Sequence, residues 1–238
     1  MDYKEFNKEI KDKLLKIGLT EEQSKITKLF DYMQILLEWN VKMNLTAITE
    51  EKEIIQKHFI DSLTIASYCY AGKIIDIGTG AGFPGIPLKI WNQNVEITLL
   101  DSLNKRVLFL KEVIKKLELK KINAIHGRAE EIAIKEQFRE KYDIAVSRAV
   151  APMNVLLEYM LPFVKIGGKC ICMKGPNIEE LENSKKALKI LGGKVIKIEE
   201  LNLPETEIKR NIIIIEKEKK TPKQYPRKAG KPSKEPLI

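Results

Sequence analysis

The sequence predicts an α/β fold: a mostly parallel, seven-stranded sheet with an N-terminal helical extension and a C-terminal antiparallel hairpin. Three observations predict it. Short apolar runs alternate with helical patterns from Lys73 onward, the arrangement that builds a parallel sheet with helices on both faces. The last two apolar runs have no helix between them, so they pair antiparallel. Before Lys73 the apolar residues repeat only at helical spacing.

Each element follows from its pattern. In the extension, Leu29, Met33, Leu36 and Leu37 share one helical side and Trp39 follows them. Asn44-Leu45-Thr46 interrupts the pattern as a turn or cap, and a second helix carries Ile54, Ile55, Phe59 and Leu63. Strands are expected at residues 74–77, 95–100, 122–126, 142–146 and 169–173. Helices are expected at 84–91, 103–117, 130–139, 153–163 and 178–191. The hairpin strands are 194–201 and 208–215. This divides the chain into a helical extension (1–70), a core (71–216) and a basic tail (217–238).

Composition bounds the function. The 238 residues are 44% hydrophobic, enough for one α/β domain with a core. No apolar stretch approaches the ~20 residues of a membrane span, and residues 1–11 lack an apolar signal segment, so a cytoplasmic protein is expected. The three cysteines, Cys69, Cys170 and Cys172, cannot all pair; reduced, buried thiols are expected. With two histidines in the chain, no metal site is expected. The net charge is +9, and residues 217–238 carry eight Lys/Arg against two acids. Such a tail suits a polyanionic partner, or it serves only solubility. Tyr225 and four prolines (Pro222, Pro226, Pro232, Pro236) argue against a helix there.

The most informative stretch is Asp76-Ile77-Gly78-Thr79-Gly80-Ala81-Gly82-Phe83-Pro84-Gly85, which follows the first strand and opens a helix. Glycines let backbone approach a ligand. Gly80-x-Gly82-x-x-Gly85, with Asp101 about 20 residues on, matches a dinucleotide fingerprint. Asp76 weighs against that reading, because its carboxylate would repel a pyrophosphate. S-adenosylmethionine has no phosphate and carries an ammonium that an acid favours. The predicted layout is then that of a Rossmann-like class I methyltransferase. Asp101, closing the second strand, is placed to accept from both ribose hydroxyls, or it serves as a helix N-cap. Ala129 and an acid beside it, Glu130 or Glu131, are placed at the adenine edge; first-turn acids also favour the helix dipole.

At the end of the fourth strand, Ser147-Arg148-Ala149 faces the carboxyl side of the sheet, where ligands bind. Arg148 is the candidate positioning residue at the reacting end; the plainer reading is a partner for a core acid. Methylating C5 of a pyrimidine needs a cysteine nucleophile, and none follows this strand. The Asn/Asp-Pro-Pro-aromatic element used on exocyclic amines is absent too. Guanine N7 has an exposed lone pair and no proton to lose, so alignment alone suffices. Arg148 would then hold guanine O6.

The chain resembles the family of ribosomal RNA small-subunit methyltransferase G, the 16S rRNA guanine-N7 methyltransferases. The resemblance rests on Leu37-Glu38-Trp39-Asn40, Asn44-Leu45-Thr46-Ala47-Ile48, His58-Phe59-Ile60-Asp61-Ser62 and the glycine turn. It continues through His126-Gly127-Arg128-Ala129-Glu130, Ser147-Arg148-Ala149 and Tyr225-Pro226-Arg227-Lys228-Ala229-Gly230. It implies an S-adenosyl-L-methionine site built from Gly78, Phe83, Ala129, Glu130 and Arg148, beside Asp76, Gly80, Gly82 and Asp101 read from the residues. It implies 16S rRNA of the small ribosomal subunit as partner, with the helical extension helping to bind it. A monomer is expected. His58 and Asp61, one helical turn apart, are expected to pair, either at the substrate mouth or as structure. Two other classes share these features: a non-catalytic RNA- or cofactor-binding protein, and a nicotinamide-dependent enzyme.

Overall fold

Strands buried on both faces read as continuous apolar runs, and such runs mark the sheet here. A computed structural model describes residues 1–238. Its strands are β1 (Lys73–Ile77), β2 (Glu96–Asp101), β3 (Ile122–His126), β4 (Tyr142–Arg148), β5 (Val164–Lys174), β6 (Gly193–Asn202) and β7 (Lys209–Lys217). They form one sheet in the order β3-β2-β1-β4-β5-β7-β6. The first five run parallel, and β7 lies antiparallel between β5 and β6. The chain leaves β1 toward β2 and β3, then returns to the other side of β1 with β4. That reversal opens a crevice beyond the carboxyl ends of β1 and β4.

The helices are α1 (Tyr3–Lys16), α2 (Gln23–Met43), α3 (Glu51–Ile54), α4 (Asp61–Leu63), α5 (Gly85–Trp91) and α6 (Asn104–Lys116). They continue with α7 (Ala129–Ile132), α8 (Met153–Met160), α9 (Glu179–Glu182), α10 (Lys185–Leu191) and α11 (Lys231–Lys234). A wide π-helical segment, Ile55–Ile60, joins α3 to α4. Asp2 and Glu5 form a capping box that starts α1. Asn44 ends α2 in the left-handed conformation, as the break in the apolar pattern predicts.

Alternate strand residues serve two cores. Ile74, Leu99, Ile144 and Val146 pack with α1, α2, α5 and α6, so the helical extension and the sheet share one interior. Ile75, Ala145, Cys170 and Cys172 pack with α8 and α10 on the other face. Tyr32 of α2 is fully buried, with ring centroids 5.6 Å from Phe59, 5.5 Å from Phe83 and 6.5 Å from Phe109. Burying a side chain of this size stabilises the fold by roughly 1.5–3 kcal/mol. The three cysteines are free and buried. No helix is long and apolar enough to cross a membrane.

Several boundaries differ from the sequence expectation. The helix expected at 130–139 is only α7, and turns follow it to Arg139, which donates to the carbonyls of Thr221 and Tyr225, each at 2.8 Å. The helix expected at 178–191 divides at Ser184, whose hydroxyl bonds back to the Glu180 carbonyl at 2.6 Å. β5 begins five residues early, and β4 runs on through Ser147 and Arg148. The tail contains a helix, α11, which accommodates Pro232 in its first turn, where a missing N–H costs nothing. Nor is the tail an appendage: Lys217 ends β7 fully buried, and Thr221 and Tyr225 are buried too. Burial lowers the Lys217 amine to about 8.

Candidate cofactor and substrate cleft

The crevice is walled by the glycine turn on one side and the Arg148-Ala149-Val150 segment on the other. Gly78 and Gly80 take φ of 66° and 62°, a region that side-chain-bearing residues rarely adopt. A Cβ on Gly78 would sit 2.5 Å from Val150 Cγ2, so only glycine lets the walls approach this closely. Gly80 meets nothing within 4 Å and faces open space. Gly82 differs: its Cβ would strike the Tyr32 hydroxyl and Ile86, so it faces the helical extension instead of the cleft. The Tyr32 hydroxyl donates to the Ala81 carbonyl, which ties α2 to the turn.

Asp76 lies behind the turn, fully buried. Its Oδ2 accepts from Thr79 Oγ1 at 2.6 Å and from the Gly85 N–H at 2.8 Å. Its Oδ1 is buried without a partner. Burial pushes the carboxyl up to about 7, against those two hydrogen bonds and the charge of Arg148. The sequence aims this carboxylate at an ammonium in the cleft; the structure places it behind the cleft wall, where it pins the turn through Thr79 and Gly85.

Asp101 sits where the two parts of the cleft meet. Its Oδ1 accepts from the Leu103 N–H at 2.9 Å, a turn ahead of α6; the N-cap itself is Leu103, so Asp101 is not the cap. Its Oδ2 accepts from the Gly80 N–H at 2.9 Å. A carboxylate offers about four acceptor positions, so capacity remains on Oδ1 for a hydroxyl in the cleft. Gly127, Ala129 and Glu130 line the far part, with Tyr159 opposite. Glu131 is exposed. Glu130 Oε1 accepts from the Gly230 N–H at 2.9 Å, which brings the tail to the cleft wall. Arg227 holds the tail there by pairing with Glu158 through Nη2 at 2.6 Å and Nε at 2.9 Å, and Glu158 is fully buried.

At the near end, Phe83, Arg148, His58 and Thr46 line the cleft. Arg148 Nη1 donates to the Lys57 carbonyl at 2.8 Å and to Asp61 Oδ2 at 3.0 Å. Its Nη2 donates to His58 Nδ1 at 3.1 Å. The guanidinium also lies 5.2 Å from the Phe83 ring centre, and His58 stacks on that ring at 4.3 Å. Arg148 thus pairs with a buried acid, as the plainer sequence reading expects, and it also lines the cleft. His58 and Asp61 do not pair with each other; each bonds to Arg148 instead. The wide turn at 55–60 carries His58 and the Lys57 carbonyl into place, and such turns often mark functional sites. Burial, then the charge of Arg148, lowers His58 to about 3, so its ring is neutral at physiological pH. Arg210 Nε donates to Asp61 Oδ1 at 3.0 Å, which completes a two-arginine clamp on one carboxylate. Nothing in the local sequence points to Arg210 or Tyr32; each acts across a long chain separation. Thr46, by contrast, falls within the Asn44-Leu45-Thr46 motif.

The cleft has room and chemistry for S-adenosylmethionine: a free acceptor position on Asp101 and an open backbone face at Gly80. Sheet order, glycine turn and Asp101 define the chain as an S-adenosylmethionine-dependent methyltransferase of Rossmann-like fold. Solved structures agree on the fold. A putative S-adenosyl-L-methionine-dependent methyltransferase from Methanococcus maripaludis superposes with a TM-score of 0.54 at 19% identity, covering 79% of this chain and 93% of that one. M. jannaschii TYW2 in complex with AdoMet gives 0.52 at 15% identity, over 66% of this chain and 74% of that one.

The family described as rRNA small subunit methyltransferase G matches residues 25–213. Ribosomal RNA small subunit methyltransferase G of Alkaliphilus metalliredigens is 54% identical over 96% of this chain and 97% of its own length. The protein of that name from Acetivibrio thermocellus is 57% identical over 92% of each chain. The chain belongs to the rRNA small subunit methyltransferase G family.

Proposed function

We propose that this protein transfers a methyl group from S-adenosylmethionine to N7 of a guanine in 16S rRNA of the small ribosomal subunit, acting as a monomer in the cytoplasm. The observation that carries the acceptor is the chemistry at the near end of the cleft. The cysteines lie in the cores, and burial drives Cys172 up to about 12, so none serves as a thiolate nucleophile there. His58 lies too low to act as a base. An acceptor with its own exposed lone pair and no proton to lose needs neither group. Purine N7 is such an acceptor, and a ring with a hydrogen-bond acceptor beside N7 suits a cleft edge lined by donors.

When bound, S-adenosylmethionine supplies an electrophilic methyl on a sulfonium. The protein's part is placement. Asp101 orients the ribose, and backbone around Ala129 with Glu130 borders the adenine. The turn carrying Gly78 and Gly80 gives close backbone approach. Phe83, against which the bonded pair of His58 and Arg148 packs, forms an apolar wall that excludes water at the reacting end. Arg148, fixed by Asp61 and Lys57, places positive charge and N–H donors beside the incoming base. Holding the partners in line is the main source of rate, since well-oriented reactants reach effective molarities on the order of 10⁵ M or more.

The test is incubation of unmodified small subunits with methyl-labelled S-adenosylmethionine, followed by nucleoside analysis. The label is expected in 7-methylguanosine from 16S rRNA. Label in another nucleoside, or none, removes this reading.

A further inference from the structure

The hydroxyl of Thr46 occupies an unusual position in the hydrogen-bond network of the cleft. A threonine hydroxyl normally works both ways, with one O–H to donate and two lone pairs to accept. Here the neighbours fix its direction. An arginine only donates, so His58 Nδ1, 3.1 Å from Arg148 Nη2, must be the accepting nitrogen of a neutral ring. The ring proton therefore sits on Nε2, which lies 2.9 Å from Thr46 Oγ1. The opposite tautomer, or a protonated ring, would press an N–H against the guanidinium. Thr46 Oγ1 thus accepts from His58. It also accepts from the Ile48 N–H at 3.1 Å. Both lone pairs are spent, and no protein acceptor takes the hydroxyl hydrogen. Thr46 lines the cleft together with Arg148 and Phe83, so that hydrogen is left for a bound molecule.

The position of Thr46 is fixed as firmly as its polarity. Asn40, near the end of α2, accepts from the Leu45 N–H at 2.7 Å and the Thr46 N–H at 2.9 Å through Oδ1. Its Nδ2 donates to the Thr46 carbonyl at 3.0 Å. The turn after α2 is thus clamped at three backbone atoms by one side chain.

We infer that Thr46 is a specificity-determining residue that donates a hydrogen bond to the carbonyl oxygen at C6 of the target guanine and so discriminates it from adenine. The inference rests on the guanine-N7 reading given above. In guanine, O6 lies beside N7 and accepts. In adenine, the same place holds an amine whose hydrogens would meet the Thr46 hydrogen. A free threonine would rotate and accept from that amine; this one cannot, because His58 and Ile48 occupy its lone pairs. Leaving a polar group unpaired against the wrong base gives stronger discrimination than a shape difference does.

The experiment uses the full chain and small subunits whose rRNA carries, at the guanine located by nucleoside mapping, either guanine or 2-aminopurine. The latter keeps N7 and the 2-amino group but has no oxygen at C6. Thr46→Val removes the hydroxyl and keeps the shape. It is expected to lower kcat/KM on the guanine substrate about tenfold. Its effect on the 2-aminopurine substrate is expected to be much smaller, so the preference between the two narrows by about that factor, and what remains is the share of the Arg148 donors. Thr46→Ser is expected to restore that preference. A structural role, acting through His58, would lower both substrates together; that outcome overturns the assignment. Nitrogen-15 shifts of the His58 ring provide a second reading that does not depend on turnover. A neutral ring protonated on Nε2 is expected, and a proton on Nδ1 overturns the argument. Absence of any guanine-N7 methylation by the unaltered protein would end the functional reading and this one with it. Methylation with an unchanged base preference in Thr46→Val ends this one alone.

Discussion

Asp76 and His58 are both buried and titratable, and burial acts on them in opposite directions. The folded chain keeps a proton on Asp76 up to about 7, whereas an unfolded aspartate releases it near about 4. Between those values the folded state binds more protons, so raising the pH through this window lowers stability. His58 titrates near 3 when folded and near about 6.5 when unfolded. There the unfolded state binds more protons, so lowering the pH through that window lowers stability. The two slopes oppose each other over most of their range. Asp76→Asn removes one of them. Its stability relative to the unaltered protein is expected to rise steadily from about pH 4 to about pH 7 and to level off above. Urea unfolding without cofactor measures this; a difference independent of pH would mean Asp76 titrates as an ordinary surface acid. The same variant tests the ammonium role that the sequence suggests, through weaker cofactor binding in calorimetry. The placement of Asp101 and Arg148 in the cleft is legible in the sequence because both close strands at the carboxyl side of the sheet. The pinning of the glycine turn by Asp76 is not, since Thr79 and Gly85 reveal it only once folded.

Between elements, two interactions tie peripheral segments to the cleft. Tyr32 reaches from α2 to the Ala81 carbonyl under the glycine turn. Tyr32→Phe is expected to cost about 1 kcal/mol in urea unfolding and to weaken cofactor binding. A loss of stability without loss of affinity would mean the bond supports packing only. The pair between Arg227 and Glu158 holds the tail against α8. Arg227→Ala removes the guanidinium and leaves buried Glu158 only the backbone N–H of residue 227 at 2.7 Å, and a loss of about 3 kcal/mol is expected in the same assay. The strand-helix alternation is legible because parallel strands covered on both faces produce unbroken apolar runs, as in Ile74-Ile75 and Leu99-Leu100. What escapes the sequence depends on partners far along the chain. Arg139 binds carbonyls in the tail, and Arg210 closes on Asp61 from the hairpin. The prolines of the tail suggest irregular chain, yet Pro232 falls at a helix start that tolerates it.

For the molecule as a whole, the excess of positive charge matters more than any single ion pair. Lys219, Lys220, Lys223, Lys228, Lys231 and Lys234 of the tail are exposed, while Lys217 and Tyr225 belong to the interior. Removing residues 217–238 would therefore open the core, and charge reversal is the cleaner probe of RNA binding. Replacing Lys219, Lys220 and Lys223 by glutamate is expected to weaken binding to small subunits. It is also expected to flatten the salt dependence by about 0.7–0.9 in log–log slope for each phosphate that is no longer neutralised. An unchanged slope would assign the tail charges to solubility. The proposed methyl transfer requires that the crevice between β1 and β4 be the nucleoside site. Crystals grown with S-adenosylmethionine test that most directly. The ribose is expected on Asp101, with the adenine against Ala129 and Glu130 and the sulfonium end toward Phe83 and Arg148. A ligand seated elsewhere, or a crevice that instead takes up a pyrophosphate-bearing nucleotide, would contradict it.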